Sequence, residues 1–254
     1  MKRIDSISFL RFVAAFIVIM FHYGGKTQLA KAASPLITSG PQIVSIFFVL
    51  TGFVLMVAYY HRENNKISDF YIARVARIIP VYWIALAMII HWTYNTTSTM
   101  NGWKATLLNF TFMQAWLPPY PLSLNYPGWA LSVEVLFYLI FPFVLWGIKK
   151  SNISWKNLAI LALLLYFVTQ ATLMTLFRSG YYAGFPSVSH DLMFYFPLVH
   201  LCSFILGVSG GYIYVNNMDR FNQRGIAPTL ILIFSLLLNF YLLQFPDSLP
   251  RIAG

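Results

Sequence analysis

The stretch Ile7–Gly24, ISFLRFVAAFIVIMFHYG, decides how the rest of the chain is read. It is apolar over a length that can cross a bilayer, whose hydrocarbon core takes about 20 residues of helix. It also carries Arg11 near its start and His22 near its end, eleven residues apart. At about 3.6 residues per turn the two side chains share one face, roughly 16 Å apart along the axis. An ionisable group in a span is costly unless a partner or a water-filled cavity receives it. Two on one stripe predict a polar pathway inside a helical bundle.

The composition agrees with a bundle in a membrane. Of 254 residues, 59% are hydrophobic and 9% are charged, where a soluble domain carries about 25% charged residues. That excludes a sizeable soluble domain. A net charge of +10 fits basic cytoplasmic loops facing anionic headgroups better than a nucleic-acid partner. The single cysteine, Cys202, rules out an internal disulfide and reads as a small buried apolar group. The basic start, Met1-Lys2-Arg3, precedes an apolar run too long for a signal peptide and without a small-residue cleavage site, so a retained anchor is expected.

Working outward, apolar runs predict seven spans in an all-α polytopic transmembrane bundle. After the first come about Gln42–Tyr60, Ile78–Tyr94, Trp129–Ile148, Lys156–Phe177, Phe194–Val215 and Ile226–Phe245. A charged hydrophilic stretch, His61–Arg77, separates the second from the third. The apolar segment Ala105–Leu117 is too short to cross and reads as re-entrant or interfacial, followed by a proline-rich loop, Pro118–Pro127. With the N-terminus inside, eleven of the seventeen Lys and Arg residues are cytoplasmic and five are outside, Arg11 lying in the membrane. That asymmetry favours a cytoplasmic N-terminus.

Several polar residues then stand out. Arg74 and Arg77 sit three apart at the cytoplasmic side of the third span, where two guanidiniums on one helix face can clamp a phosphate. The bland alternative is cytoplasmic anchoring by basic residues. Glu134, in WALSVEVLFYLIFP, lies about one turn inside the outer end of the fourth span, at the depth expected for His22. A carboxylate beside an imidazole orients it and raises its basicity, as general-base work requires. The alternative is a structural buried hydrogen bond. His200 either lines the same cavity or bonds a neighbouring helix, and Thr51 is expected to bond backbone or face a neighbouring helix. His91 and Trp92 read as interfacial belt residues. His190 and Asp191 read as solvated loop polarity that could touch a polar substrate. There is no Gly-rich phosphate loop, no metal-spaced His/Cys cluster and no G-x-S-x-G elbow.

In order along the chain, Arg11-x10-His22, FFVLTGFVL at Phe47–Leu55, RVARIIPVYW at Arg74–Trp83 and WALSVEVLFYLIFP at Trp129–Pro142 resemble the acyltransferase-3 family of integral membrane O-acyltransferases. PLVHLCSFILG at Pro197–Gly207 resembles a later helix of that family, with Ser203 where an acidic residue is frequent. The resemblance covers nearly all of residues 1–254 and implies one transmembrane acyltransferase domain. Members usually continue through further spans, so the chain is expected to be incomplete at its C-terminal end.

The resemblance implies transfer of an acyl group, foremost acetyl, from cytoplasmic acyl-CoA to a hydroxyl of an envelope glycan, in a bacterial inner membrane. It implies that Arg74 and Arg77 hold the donor phosphates, that Arg11 holds the donor arm, and that His22 acts as base with Glu134 beside it. Acyl-CoA is then a co-substrate, with no bound cofactor or metal expected, and the partners are the glycan and the bilayer. Two other readings remain at this point: a proton-coupled or solute transporter using the same polar stripe, and an inactive truncated relative. The absence of two matched halves counts against the transporter.

Overall fold

The computed structural model describes residues 5–24, 27–28, 33, 37, 40–62, 66–93 and 102–217. Among these the regular structure is helical, with no strand. In order the helices are α1 (Asp5–Tyr23), α2 (Gly40–Tyr59), α3 (Ile67–Thr93), α4 (Trp103–Phe110), α5 (Trp129–Ser151), α6 (Trp155–Arg178), α7 (Val188–Phe194) and α8 (Leu201–Asn216). Short 3-10 turns lie at Gln114–Trp116, Tyr126–Gly128 and Pro197–His200.

Among the described residues, four segments are long and apolar enough to cross a membrane: Ile67–Trp92, Tyr126–Ser151, Trp155–Arg178 and Val188–Asn216. Ile7–Tyr23 and Ile43–Tyr59 are shorter apolar helices. Leu161, Leu164, Phe167 and Val168 on α6, and Ile72, Val81, Ile84 and Met88 on α3, are all exposed. Contiguous apolar surface of that extent suits lipid rather than water. The expected span at Ile226–Phe245 lies outside the described residues.

Two expected boundaries are corrected. The third helix begins at Ile67, inside the stretch expected to be a hydrophilic loop, and runs through Pro80. Phe70, Tyr71, Arg74 and Ile78 recur at helical spacing and give this polar beginning a packing face. The sixth expected span is broken: α7 stops at Phe194, a 3-10 turn spans Pro197–His200, and α8 starts at Leu201. Proline at 197 removes a backbone donor, and the residue before it, Phe196, takes the extended conformation that a following proline favours. The segment Ala105–Leu117 holds the last six residues of α4 and a 3-10 turn; the whole eight-residue helix is about 12 Å long, too short to cross.

The chain divides into two compact units. The first holds α1, α2, α6 up to Gln170, and α8 from Cys202. In it, Ala14 and Ile17 of α1 pack with Ile43 of α2, flanked by Val13, Val18 and Phe47. Where α2 meets α8 the backbones touch. A Cβ on Gly207 would run into the carbonyl of Val49, and one on Gly52 into the carbonyl of Phe204. Gly211 is as constrained, with the Phe53 carbonyl 2.8 Å from where its Cβ would be. Small residues four apart let membrane helices approach this closely. The second unit holds α3, α4, α5, the rest of α6 and α7.

Candidate active site

In the second unit a buried polar chain fixes where α5 starts. Tyr82 of α3 is buried with Leu86 and Phe112, and its hydroxyl donates to Asn109 Oδ1 at 3.1 Å. Asn109 Nδ2 donates to the Ala105 carbonyl and to Ser123 Oγ, each at 2.9 Å, and Ser123 Oγ donates to the Tyr120 carbonyl at 2.7 Å. Gln114 Nε2 donates to the Gly128 carbonyl at 2.8 Å and to the Tyr82 hydroxyl at 3.3 Å. Asn109 and Gln114 are fully buried. Polar groups so placed are tolerated because they bond one another. The chain therefore ties α3, α4 and the proline-rich loop to Gly128, the residue before α5. Sequence reasoning missed it. The one signal was a pair of amides, Asn109 and Gln114, in an otherwise apolar segment.

Below that latch, α3 and α5 run antiparallel with a dense aromatic seam. Phe70 stacks on Phe141 with ring centroids 5.7 Å apart. Tyr71 donates its hydroxyl to the Leu139 carbonyl at 3.0 Å. The Arg74 guanidinium carbon lies 5.3 Å from the Phe70 ring centroid and 5.5 Å from that of Tyr138. Each pairing steps backward along α5 as it steps forward along α3. Arg77 lies seven residues beyond Phe70, and Glu134 lies seven residues before Phe141. Seven residues is about two turns, so Arg77 and Glu134 come to one level on the flank that carries the stacked phenylalanines. Arg74 and Arg77 thus sit within α3, about 10 and 15 Å from its start. Glu134 is half-buried, Arg74 half-buried and Arg77 exposed.

At the Trp129 end of α5 lies a second polar and aromatic cluster. His200 is buried, and its Nε2 donates to the Phe194 carbonyl at 3.1 Å, which ties together the two sides of the break between α7 and α8. Its ring lies 5.4 Å from Trp129, and Trp129 lies 5.1 Å from Tyr195. His190 and Asp191 are in helix α7 and not in a solvated loop. Ser187 caps that helix, accepting from the His190 backbone N–H at 3.0 Å. His190 stacks on Phe194 at 4.4 Å, and its Nδ1 is 3.2 Å from the Tyr182 hydroxyl. Asp191 is buried.

Arg11, His22 and Thr51 belong to the first unit. On α1 the face with Arg11 and His22 borders the buried stripe of Ala14 and Ile17, while Phe9, Phe12, Phe16 and Ile19 are exposed. Arg11 and His22 are each half-buried, and the His22 ring lies edge-on to Phe21 at 5.1 Å. Thr51 is buried on α2, one turn beyond Phe47. The structure thus brings Arg74, Arg77 and Glu134 onto one seam in the second unit, and Arg11 and His22 onto one stripe in the first. Among the described residues, no group of three His, Cys, Asp or Glu side chains could hold a metal ion.

Comparison with known proteins bears on these arrangements. Residues 4–252 match the acyltransferase-3 family, described as an acyltransferase domain. Acyltransferase MdmB of Streptomyces mycarofaciens is 31% identical over 151 residues, 55% of this chain and 38% of that protein. Exopolysaccharide production protein ExoZ of Rhizobium meliloti is 31% identical over 113 residues, 41% of this chain and 34% of that protein. Peptidoglycan O-acetyltransferase OatA of Listeria monocytogenes is 26% identical over 157 residues, 56% of this chain and 24% of that protein. The chain spans well under two thirds of the length of these relatives. No solved structure matches it.

Proposed function

The chain belongs to the acyltransferase-3 family, and from that premise we propose that it is a transmembrane O-acyltransferase, moving an acetyl or other acyl group from cytoplasmic acyl-CoA to a hydroxyl of an extracytoplasmic glycan. The observation that carries this reading is the seam between α3 and α5. Two guanidiniums and one carboxylate lie along it, Arg77 and Glu134 at one level by the antiparallel register and Arg74 about one turn from Arg77, on helices long and apolar enough to span a membrane. A polyanionic donor such as acyl-CoA needs cations at its phosphates, and charges kept on spanning helices are costly without such a task. The names of relatives support a carbohydrate acceptor: one is a peptidoglycan O-acetyltransferase and another an exopolysaccharide production protein.

In the proposed reaction Arg74 and Arg77 hold the nucleotide phosphates from the cytoplasmic side, and Arg11 holds the donor arm. His22 removes the proton of the acceptor hydroxyl as its oxygen attacks the thioester carbonyl. The new C–O ester bond forms as the C–S bond breaks, and the proton passes to the departing CoA thiolate. Glu134 orients or charge-stabilises the base. Because the thioester is already activated, holding the two substrates together supplies much of the rate. A transient acyl-histidine would split the same transfer into two steps. In this reading the N-terminus is cytoplasmic and the host is a bacterial cytoplasmic membrane.

The test is His22→Ala in cells, reading O-acetyl groups on extracted envelope glycans by mass spectrometry. Acetylation is expected to vanish. Unchanged acetylation, with the variant present in the membrane at the normal amount, would overturn the reading.

A further inference from the structure

Asp191 is the buried acid that the proposed reaction does not use. It keeps 7% of its surface. Among the described residues its carboxylate makes no hydrogen bond or ion pair. An ionised carboxylate only accepts hydrogen bonds, and one with no donor inside the protein is open to donors from a ligand. Its surroundings say which donors. Tyr195 lies one turn beyond Asp191, its backbone N–H donating to the Asp191 carbonyl at 2.9 Å, and its ring lies 5.6 Å from that of His190 and 5.1 Å from that of Trp129, the residue three beyond Tyr126. The His190 imidazole joins them through the Tyr182 hydroxyl. Tyr126 is 47% exposed, which leaves the cluster open on one side.

We propose that Asp191, with Tyr126, Tyr182 and Tyr195, forms a carbohydrate-binding subsite that receives the acceptor glycan. A sugar ring offers what this cluster can use: hydroxyl donors for the carboxylate, and an apolar C–H face for the exposed ring of Tyr126. Phenol hydroxyls both donate and accept, which suits a ligand whose hydroxyls do the same. Position agrees with the role. Tyr126 and Trp129 stand at the start of α5, and Glu134 lies five residues beyond Trp129 on the same helix. That is a rise of about 7.5 Å, the width of roughly one sugar unit. Along the axis of α5 the cluster therefore lies about one sugar unit from the level of Glu134. The inference deepens that reading and rests on it for the identity of the acceptor.

The experiment uses the full-length protein in lipid nanodiscs. The probe is the oligosaccharide mixture released from the cells' own envelope glycan after mild-base removal of O-acetyl groups. Binding is read by tryptophan fluorescence, and transfer by labelled acetyl from acetyl-CoA. Asp191→Asn and Tyr126→Ala are each expected to raise the acceptor KM about tenfold and to weaken oligosaccharide binding equally. Affinity for acetyl-CoA and the thermal midpoint should stay unchanged. Tyr126→Phe, which keeps the ring, should recover part of the loss. Unchanged oligosaccharide binding in both Asp191→Asn and Tyr126→Ala would overturn the subsite. So would equal losses of acceptor and acetyl-CoA affinity, which mark a structural defect. Should the unmodified protein bind oligosaccharide but transfer no acetyl, the proposed reaction falls and the subsite stands.

Discussion

Arg74 lies with its guanidinium carbon 5.5 Å from the ring centroid of Tyr138 and nearly as close to Phe70, so two aromatic faces set its position. A cation over an aromatic ring gains about 0.5–2 kcal/mol, more as water is removed. Tyr138 is four residues beyond Glu134 on α5, so the ring that holds the guanidinium sits one turn from the carboxylate on the same face. Tyr138→Leu is expected to weaken acetyl-CoA binding about fivefold to tenfold in detergent or nanodiscs. Tyr138→Phe should bind within about twofold of the unmodified protein. Equal weakening by Phe and Leu would show that the hydroxyl, not the ring, matters.

The level that Glu134 shares with Arg77 leads to a second prediction. A carboxylate at the level of a guanidinium competes with phosphate for it. Glu134→Gln is therefore expected to bind acetyl-CoA at least as tightly as the unmodified protein while losing about 100-fold or more in turnover, the range that general acid–base groups supply. Arg74→Ala with Arg77→Ala should do the reverse, raising the donor KM with a smaller effect on turnover at saturation. Isothermal titration with CoA, together with single-turnover acetyl transfer, separates the two. A tenfold loss of CoA affinity in Glu134→Gln would reassign Glu134 to holding the clamp in shape.

Much of the bundle is legible in the sequence, because apolar runs are long and the loops between them charged. Trp129–Ile148 was expected where α5 covers Trp129–Ser151, and Lys156–Phe177 where α6 covers Trp155–Arg178. The expectation failed where hydropathy and helix formation part company. Charges at Lys66, Asp69, Arg74 and Arg77 read as loop, yet Phe70, Tyr71, Arg74 and Ile78 share a face that packs on α5, and burial of that face extends the helix. Asp191 read as loop polarity because the apolar run of the sixth expected span starts only at Phe194. The overlooked signal was Ser187, whose side chain caps α7. The latch was illegible for a different reason: Gln114 meets Tyr82 across 32 residues and Gly128 across 14, and no local pattern announces such a pair.

That latch carries a third prediction. Gln114→Leu keeps roughly the same volume but strips a donor from both the Gly128 carbonyl and the Tyr82 hydroxyl in a buried setting. Leaving such groups unmet costs about 1–3 kcal/mol. The thermal midpoint should fall, and acetyl transfer should fall with it, because Gly128 precedes the helix that carries Glu134. CoA binding at Arg74, which packs on Tyr138 about three turns along α5 from Gly128, should be largely kept. Tyr82→Phe, which leaves the Asn109 Oδ1 and Gln114 Nε2 contacts short of one hydroxyl, should cost less than Gln114→Leu.

The glycines give a prediction with two signs. Gly207 and Gly147 are both helical glycines, and intrinsic helix propensity favours alanine at either by about 1 kcal/mol. Surroundings decide otherwise at one of them. At Gly207 a methyl group would meet the Val49 backbone carbonyl, which cannot swing aside as a side-chain tip could, so α2 and α8 must separate. Overpacking of this kind costs about 1–3 kcal/mol, and the loss of close backbone contact adds to it. At Gly147 nothing lies within 4 Å of the position a Cβ would take. Gly207→Ala is therefore expected to lower the thermal midpoint by several degrees in detergent, and Gly147→Ala to leave it unchanged or raise it. A midpoint unchanged by Gly207→Ala would mean that the α2–α8 contact adds little to the stability of the first unit.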